Sequence, residues 1–157
     1  MTTALFIGRF QPFHLGHLSV VEKILNKHDN LIIGIGSSDN HDEPTNPFTY
    51  QLREKMIRST LDDLKLNNVE ILPIPDINDD ERWAQYVVNL IPKFDVIYTG
   101  SPIVQDLFKT HGRFPLEAVE FEHDISATRV RELMDNGGNW QKLVPKMVAE
   151  TLKDVSG

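Results

Sequence analysis

The stretch Ala4-Leu5-Phe6-Ile7-Gly8-Arg9-Phe10-Gln11-Pro12-Phe13-His14-Leu15-Gly16-His17 decides the fold. Its first four residues form a short apolar run, the pattern of a strand buried on both faces. Glycine and proline then punctuate a turn, after which Leu18, Val21, Ile24 and Leu25 recur at helical spacing and residues 31–35 supply a second apolar run. Strand, turn, helix, strand is the repeating unit of an α/β domain with a mostly parallel sheet.

The alternation continues along the chain. Residues 36–46 are polar and read as an exposed loop, and Thr49 is a plausible N-cap for a helix with the stripe Leu52, Met56, Ile57, Leu61 and Leu64. Residues 69–72 read as a short strand stopped by Pro73 and Pro75. Trp83, Val87, Leu90 and Ile91 mark a third helix ending near Pro92; Val96-Ile97-Tyr98 is a fourth strand, and a helix should begin after Ser101-Pro102. Leu116, Ala118, Val119 and Phe121, interleaved with Glu117, Glu120 and Glu122, suggest a half-exposed fifth strand toward an edge. Val130, Leu133 and Met134 form a helical stripe, Asn136-Gly137-Gly138-Asn139 breaks it, and Leu143, Met147, Val148 and Leu152 form another. The expected fold class is α/β, a Rossmann-like doubly wound sheet, mostly parallel, of about five strands with a helical C-terminus. A chain of 157 residues suits one domain, here residues 1–157.

With 40% hydrophobic and 25% charged residues the composition is that of a soluble protein, and no apolar stretch is long enough to cross a bilayer. The N-terminus runs directly into a strand without a basic segment, unlike a secretion signal, so a cytoplasmic protein is expected. There are no cysteines, hence no disulfides and no thiolate metal site. A net charge of −7 argues against a broad surface for nucleic acid. Any phosphate must then be held locally by a few placed groups.

Residues 8–17 stand where such groups belong, beyond the carboxyl end of a strand and at the start of a helix, whose N-terminus favours anions. Gly8 lets backbone approach a ligand, Pro12 stiffens the turn, and Gly16 leaves room over the first helical turn. His14 and His17, three apart, project from one side, and each can donate to an oxyanion. Taken alone, two histidines near a turn are surface polar groups, and as a zinc pair they lack a third ligand. The second cluster, Ile125-Ser126-Ala127-Thr128-Arg129-Val130-Arg131, places two hydroxyls and two guanidinium groups at a helix start. Ser126 taken alone reads as an N-cap that starts the helix.

Taken together, these segments resemble a known family. His14-Leu15-Gly16-His17 resembles the H-x-G-H motif of the nucleotidylyltransferase superfamily, and residues 8–14 resemble its longer form in archaeal-type nicotinamide mononucleotide adenylyltransferases. Pantetheine-phosphate adenylyltransferases usually show Phe-Asp-Pro where this chain has Phe10-Gln11-Pro12. Residues 125–131 resemble the second superfamily signature, Ile-Ser-x-Thr-x-x-Arg, which holds the ATP β- and γ-phosphates and implicates Ser126, Thr128 and Arg131. Asn46-Pro47-Phe48-Thr49 resembles the family's entry to the second helix, Thr99-Gly100-Ser101-Pro102 its loop near the ATP ribose and adenine, and Asp76-Ile77 with Trp83 its acceptor region. On spacing alone Trp83 is a core residue; the resemblance implies that its indole stacks on the nicotinamide ring, which suits a cationic heterocycle. Relatives commonly carry asparagine where this chain has Asp80, and a basic residue within the segment occupied here by Glu43-Pro44-Thr45-Asn46.

The resemblance implies adenylyl transfer from ATP to nicotinamide mononucleotide, giving NAD and pyrophosphate, with Mg²⁺ carried mainly by the ATP phosphates and no protein metal cage. Arg9, His14, His17 and Arg131 would be the catalytic donors. Gly8, Arg9, Phe10, His14, Gly16, His17, Gly100, Ser101, Ser126, Thr128 and Arg131 would bind ATP, and Asp80 and Trp83 the acceptor. A homo-oligomer without nucleic-acid or membrane partners is expected. The alternatives are another acceptor (nicotinic acid mononucleotide, pantetheine phosphate or FMN) and a non-catalytic adenine-nucleotide sensor.

Overall fold

A computed structural model describes residues 2–40, 43–111, 115–119 and 125–153. Five strands form one sheet, β1 (Thr3–Gly8), β2 (Asn30–Gly36), β3 (Val69–Ile74), β4 (Val96–Thr99) and β5 (Leu116–Ala118), in the order β3-β2-β1-β4-β5 with every neighbour parallel. The helices are α1 (Leu15–Lys27), α2 (Tyr50–Asp63), α3 (Asp80–Leu90), α4 (Pro102–His111), α5 (Ala127–Asp135) and α6 (Lys146–Lys153). Among the described residues no helix is long and apolar enough to cross a membrane.

The two-residue side-chain period of β1 divides the core. Ala4 and Phe6 face a cluster with Val21, Ile33, Met56, Val130 and Val148, drawing on α1, α2, α5 and α6. Leu5 and Ile7 face a second cluster with Ile32, Ala84, Val87, Ile97 and Phe108, drawing on α3 and α4. Both faces are covered, which is why β1 reads as a continuous apolar run. The chain reverses its direction of winding between β1 and β4, and a crevice opens at such a switch point beyond the strand ends.

The expected caps are present: Thr49 Oγ1 accepts from Leu52 N at 3.1 Å and Ser126 Oγ from Arg129 N at 3.1 Å. Three expectations need correction. β3 does not stop before Pro73 but pairs through it, Pro73 lying opposite Ile35; it is an edge strand, where a missing N–H is tolerated. The buried stripe of α2 is Arg53, Met56, Ile57, Thr60 and Leu61, whereas Leu64 is 46% exposed, because the helix has ended and Lys65 turns the chain at φ 56°. Leu143 belongs to a separate 3₁₀ turn, Trp140–Leu143, whose Trp140 is buried against the core. Of the fifth-strand expectation, Glu120, Phe121 and Glu122 lie outside the described residues.

Candidate active site

A cavity of about 440 Å³ occupies the crevice. It is lined by Gly8 and Arg9 at the end of β1, Gly36 and Ser37 at the end of β2, Thr99 and Ser101 at and after the end of β4, and by Asp76, Asp79, Asp80 and Trp83. Trp83 is half-buried and meets the ring of Phe108 edge-on at 5.6 Å, so it serves the core and the cavity together. Ser101 is placed by α4, where its Oγ accepts from Val104 N at 3.3 Å. Gly100 lies exposed between β4 and α4. Pro102 occupies the first helical position, as the sequence predicts.

His14 and His17 do not line this cavity. They are buried at the start of α1 with stacked rings, centroids 3.6 Å apart. His14 is the N-cap, and its Nδ1 accepts from Gly16 N at 3.0 Å and His17 N at 3.3 Å, while His17 Nδ1 accepts from His14 N at 3.0 Å. Two imidazoles thus form a reciprocal capping box. With both Nδ1 atoms accepting, each neutral ring carries its proton on Nε2. Burial lowers the His14 pKa to about 4, and burial together with the neighbouring His14 holds His17 well below its ordinary value. One sequence expectation changes here: Gly16 and His17 spend their backbone N–H groups on the His14 ring, so the α1 terminus offers an anion fewer of its own amides.

Phe10 is a core residue, 2% exposed, its ring packed on Phe6, Phe13 and His17. It also supplies the reason for Gly8, since a Cβ there would lie 2.9 Å from Phe10 Cζ. The ring of Phe10 therefore fills the space that the sequence reading reserved for a ligand.

The second cluster meets the first across 120 positions of sequence: Arg131 Nη1 donates to Gln11 O at 2.8 Å and Nη2 to Thr128 Oγ1 at 3.4 Å. Burial, then the charge of Arg9, lowers the Arg131 pKa. Ser126 and Thr128 are exposed at the start of α5. Capping uses a lone pair on Ser126, which leaves its O–H able to donate.

One site residue, Arg53, escaped the sequence reading. Arg53 is completely buried beneath the loop, and its one advance signal was a charge on the apolar stripe of α2. Asp76 accepts from Ser37 Oγ at 3.1 Å and from Asn40 Nδ2, and its N–H donates to Asp39 Oδ1 at 3.0 Å, holding the loop after β2 at the cavity rim. Arg9, Arg53 and Arg131 thus converge on residues 9–11, a local positive field within a chain of net charge −7. Among the described residues no group of three His, Asp or Glu could hold a metal ion.

A switch-point crevice beside glycine, histidine and arginine donors defines a nucleotide-binding α/β protein, and the chain belongs to the cytidylyltransferase-like family, whose model matches residues 5–133. It is 41% identical over 156 residues to the nicotinamide-nucleotide adenylyltransferase of Thermoplasma volcanium, covering 98% of this chain and 87% of that one. It is 40% identical over 161 residues to the enzyme of the same name from Pyrococcus furiosus, covering 100% and 86%. A crystal structure of a bifunctional NMN adenylyltransferase/ADP ribose pyrophosphatase from Francisella tularensis, complexed with AMP and a manganese ion, superposes with a TM-score of 0.80 at 24% identity. It matches 99% of this chain, which spans about half (49%) of that longer protein.

Proposed function

We infer that this chain is a nicotinamide-nucleotide adenylyltransferase. An oxygen of the 5′-phosphate of nicotinamide mononucleotide attacks the α-phosphorus of ATP; the bond from that phosphorus to the bridging oxygen breaks, giving NAD and pyrophosphate. The observation that carries the reading is the hydrogen bond from Arg131 to Gln11 O, which joins the two phosphate-type clusters two residues from Arg9, itself lining a cavity that Trp83 also lines.

No protein nucleophile is required. Catalysis comes from alignment and from donors aimed at the phosphate oxygens. Arg9 and Arg131 supply fixed charge, and His14 and His17 supply neutral Nε2–H donors. Gly8, Gly16, Gly100, Ser101, Ser126, Thr128 and the backbone of Phe10 complete the ATP site. Trp83 and Asp80 receive the pyridine ring. A divalent ion, taken to be Mg²⁺, enters on the phosphates of ATP as part of the substrate.

Incubation of the purified protein with Mg-ATP and each mononucleotide acceptor, followed by chromatography, tests the assignment. Nicotinamide mononucleotide should give NAD and an equal amount of pyrophosphate. No dinucleotide from either pyridine mononucleotide would overturn it, and ATP binding without pyrophosphate release would identify a sensor instead. Replacing His17 by alanine should lower turnover about 10²-fold while changing ATP affinity much less.

A further inference from the structure

Arg53 has no exposed surface. Burying a guanidinium is costly unless its N–H groups are met. Its Nε donates to Thr49 O at 3.2 Å, Nη1 to Arg9 O at 3.1 Å and to Gly36 O at 2.8 Å, and Nη2 to Ser37 O at 3.0 Å. Every one of these acceptors is a backbone carbonyl. Burial, then the charge of Arg9, lowers its pKa to about 10, which leaves it charged at neutral pH.

The location of those carbonyls is informative. The ladder between β1 and β2 ends with Gly8 opposite Ile35. The next rung would join Arg9 to Gly36, and Nη1 of Arg53 bonds the carbonyls of both. One residue further on, Phe10 and Ser37 take positive φ angles of 55° and 49°, so the two strands diverge there into conformations that non-glycine residues resist. The guanidinium therefore replaces a rung where the backbone can no longer supply one. Arg9, Gly36 and Ser37 all line the cavity.

We propose that Arg53 is a positioning residue of the transfer reaction, fixing the backbone of Arg9 and Ser37, and through Arg9 the guanidinium that meets the phosphates, without itself touching substrate. This rests on the function inferred above. A planar fork is needed because a lysine ammonium, with three N–H groups on one atom, cannot meet all four carbonyls.

The experiment compares wild type, Arg53→Lys and Arg53→Ala by urea denaturation, ATP affinity and steady-state kinetics. Arg53→Lys should fold and lose about 10- to 100-fold in kcat, with a smaller change in KM for ATP, the pattern of a misplaced donor. Added guanidinium should restore activity to Arg53→Ala several-fold, and methylammonium should not. A folded Arg53→Lys protein with kcat within about twofold of wild type would overturn the proposal. So would losses that only track the unfolded fraction, or both variants failing to fold with guanidinium present, since Arg53 would then be a clamp of the fold alone. The wild-type assay tests the function by itself, and Arg53 is judged by differences from wild type that include ATP affinity, so the two can fail separately.

Discussion

His14 and His17 cap one another: each Nδ1 accepts a backbone N–H from the other residue while the two rings stack. Both are buried and neutral, so the native state refuses protons that the unfolded chain accepts below its ordinary histidine pKa of 6.5. Stability is therefore fully present above pH 6.5 and is lost as pH falls from there toward 4, where His14 itself titrates in the fold. Each histidine contributes a slope of about 1.4 kcal/mol per pH unit in that window. Urea midpoints between pH 7.5 and 4.5 should show this loss, less steeply in His14→Asn, which keeps a capping acceptor but cannot titrate. A variant as steep as wild type would remove His14 from the acid response.

Gln11, a residue that the resemblance uses to distinguish the family, acts through its amide. Its Oε1 accepts from Phe48 N at 3.0 Å, and its Nε2 donates to Phe48 O at 3.2 Å and to Asn46 Oδ1. It pins the segment entering α2 to the loop after β1. Gln11→Ala strands buried partners and should cost about 2–3 kcal/mol in urea denaturation. A loss under about 0.5 kcal/mol would mean that water replaces the amide without penalty.

The alternation of strands and helices, and both clusters, were legible because they rest on local signals: apolar runs of strand length, helical stripes, Thr49 and Ser126 at caps, glycine and proline at the turn. What was not legible depends on contacts distant in sequence. Gly8 reads as room for a ligand, but the occupant is the ring of Phe10, two residues on, folded back by a positive φ. Arg53 falls on the apolar stripe of α2, but helical spacing does not say that this side meets the carbonyls of the loop after β1. His14 and His17 read as donors to an oxyanion, and only the folded turn reveals that each ring accepts the other's backbone N–H. Leu64 belongs to the apolar pattern but falls where the helix has already ended.

Arg131 lies half-buried on α5 and bonds the loop after β1 at Gln11 O. A lysine there keeps the charge but cannot hold Gln11 O and Thr128 Oγ1 together. Arg131→Lys should lower kcat about 10²-fold while shifting stability by less than about 1 kcal/mol. Kinetics with ATP varied, alongside urea denaturation, separate the two effects. A stability loss large enough to account for the activity would make this contact architectural.

Asp80 opens α3 on the cavity wall beside Asp79 and three residues before Trp83. Nicotinamide and nicotinic acid mononucleotides differ by an amide against a carboxylate, and a carboxylate near Asp80 meets a like charge. At a partly exposed site separated by several ångströms that repulsion is worth about 1 kcal/mol. Wild type should therefore prefer the amide acceptor, and Asp80→Asn should narrow the ratio of kcat/KM values about five-fold. The change should come mainly from better use of the acid, and high salt should narrow the wild-type ratio in the same direction. A ratio that neither the substitution nor salt moves would show that Asp80 does not face the pyridine substituent.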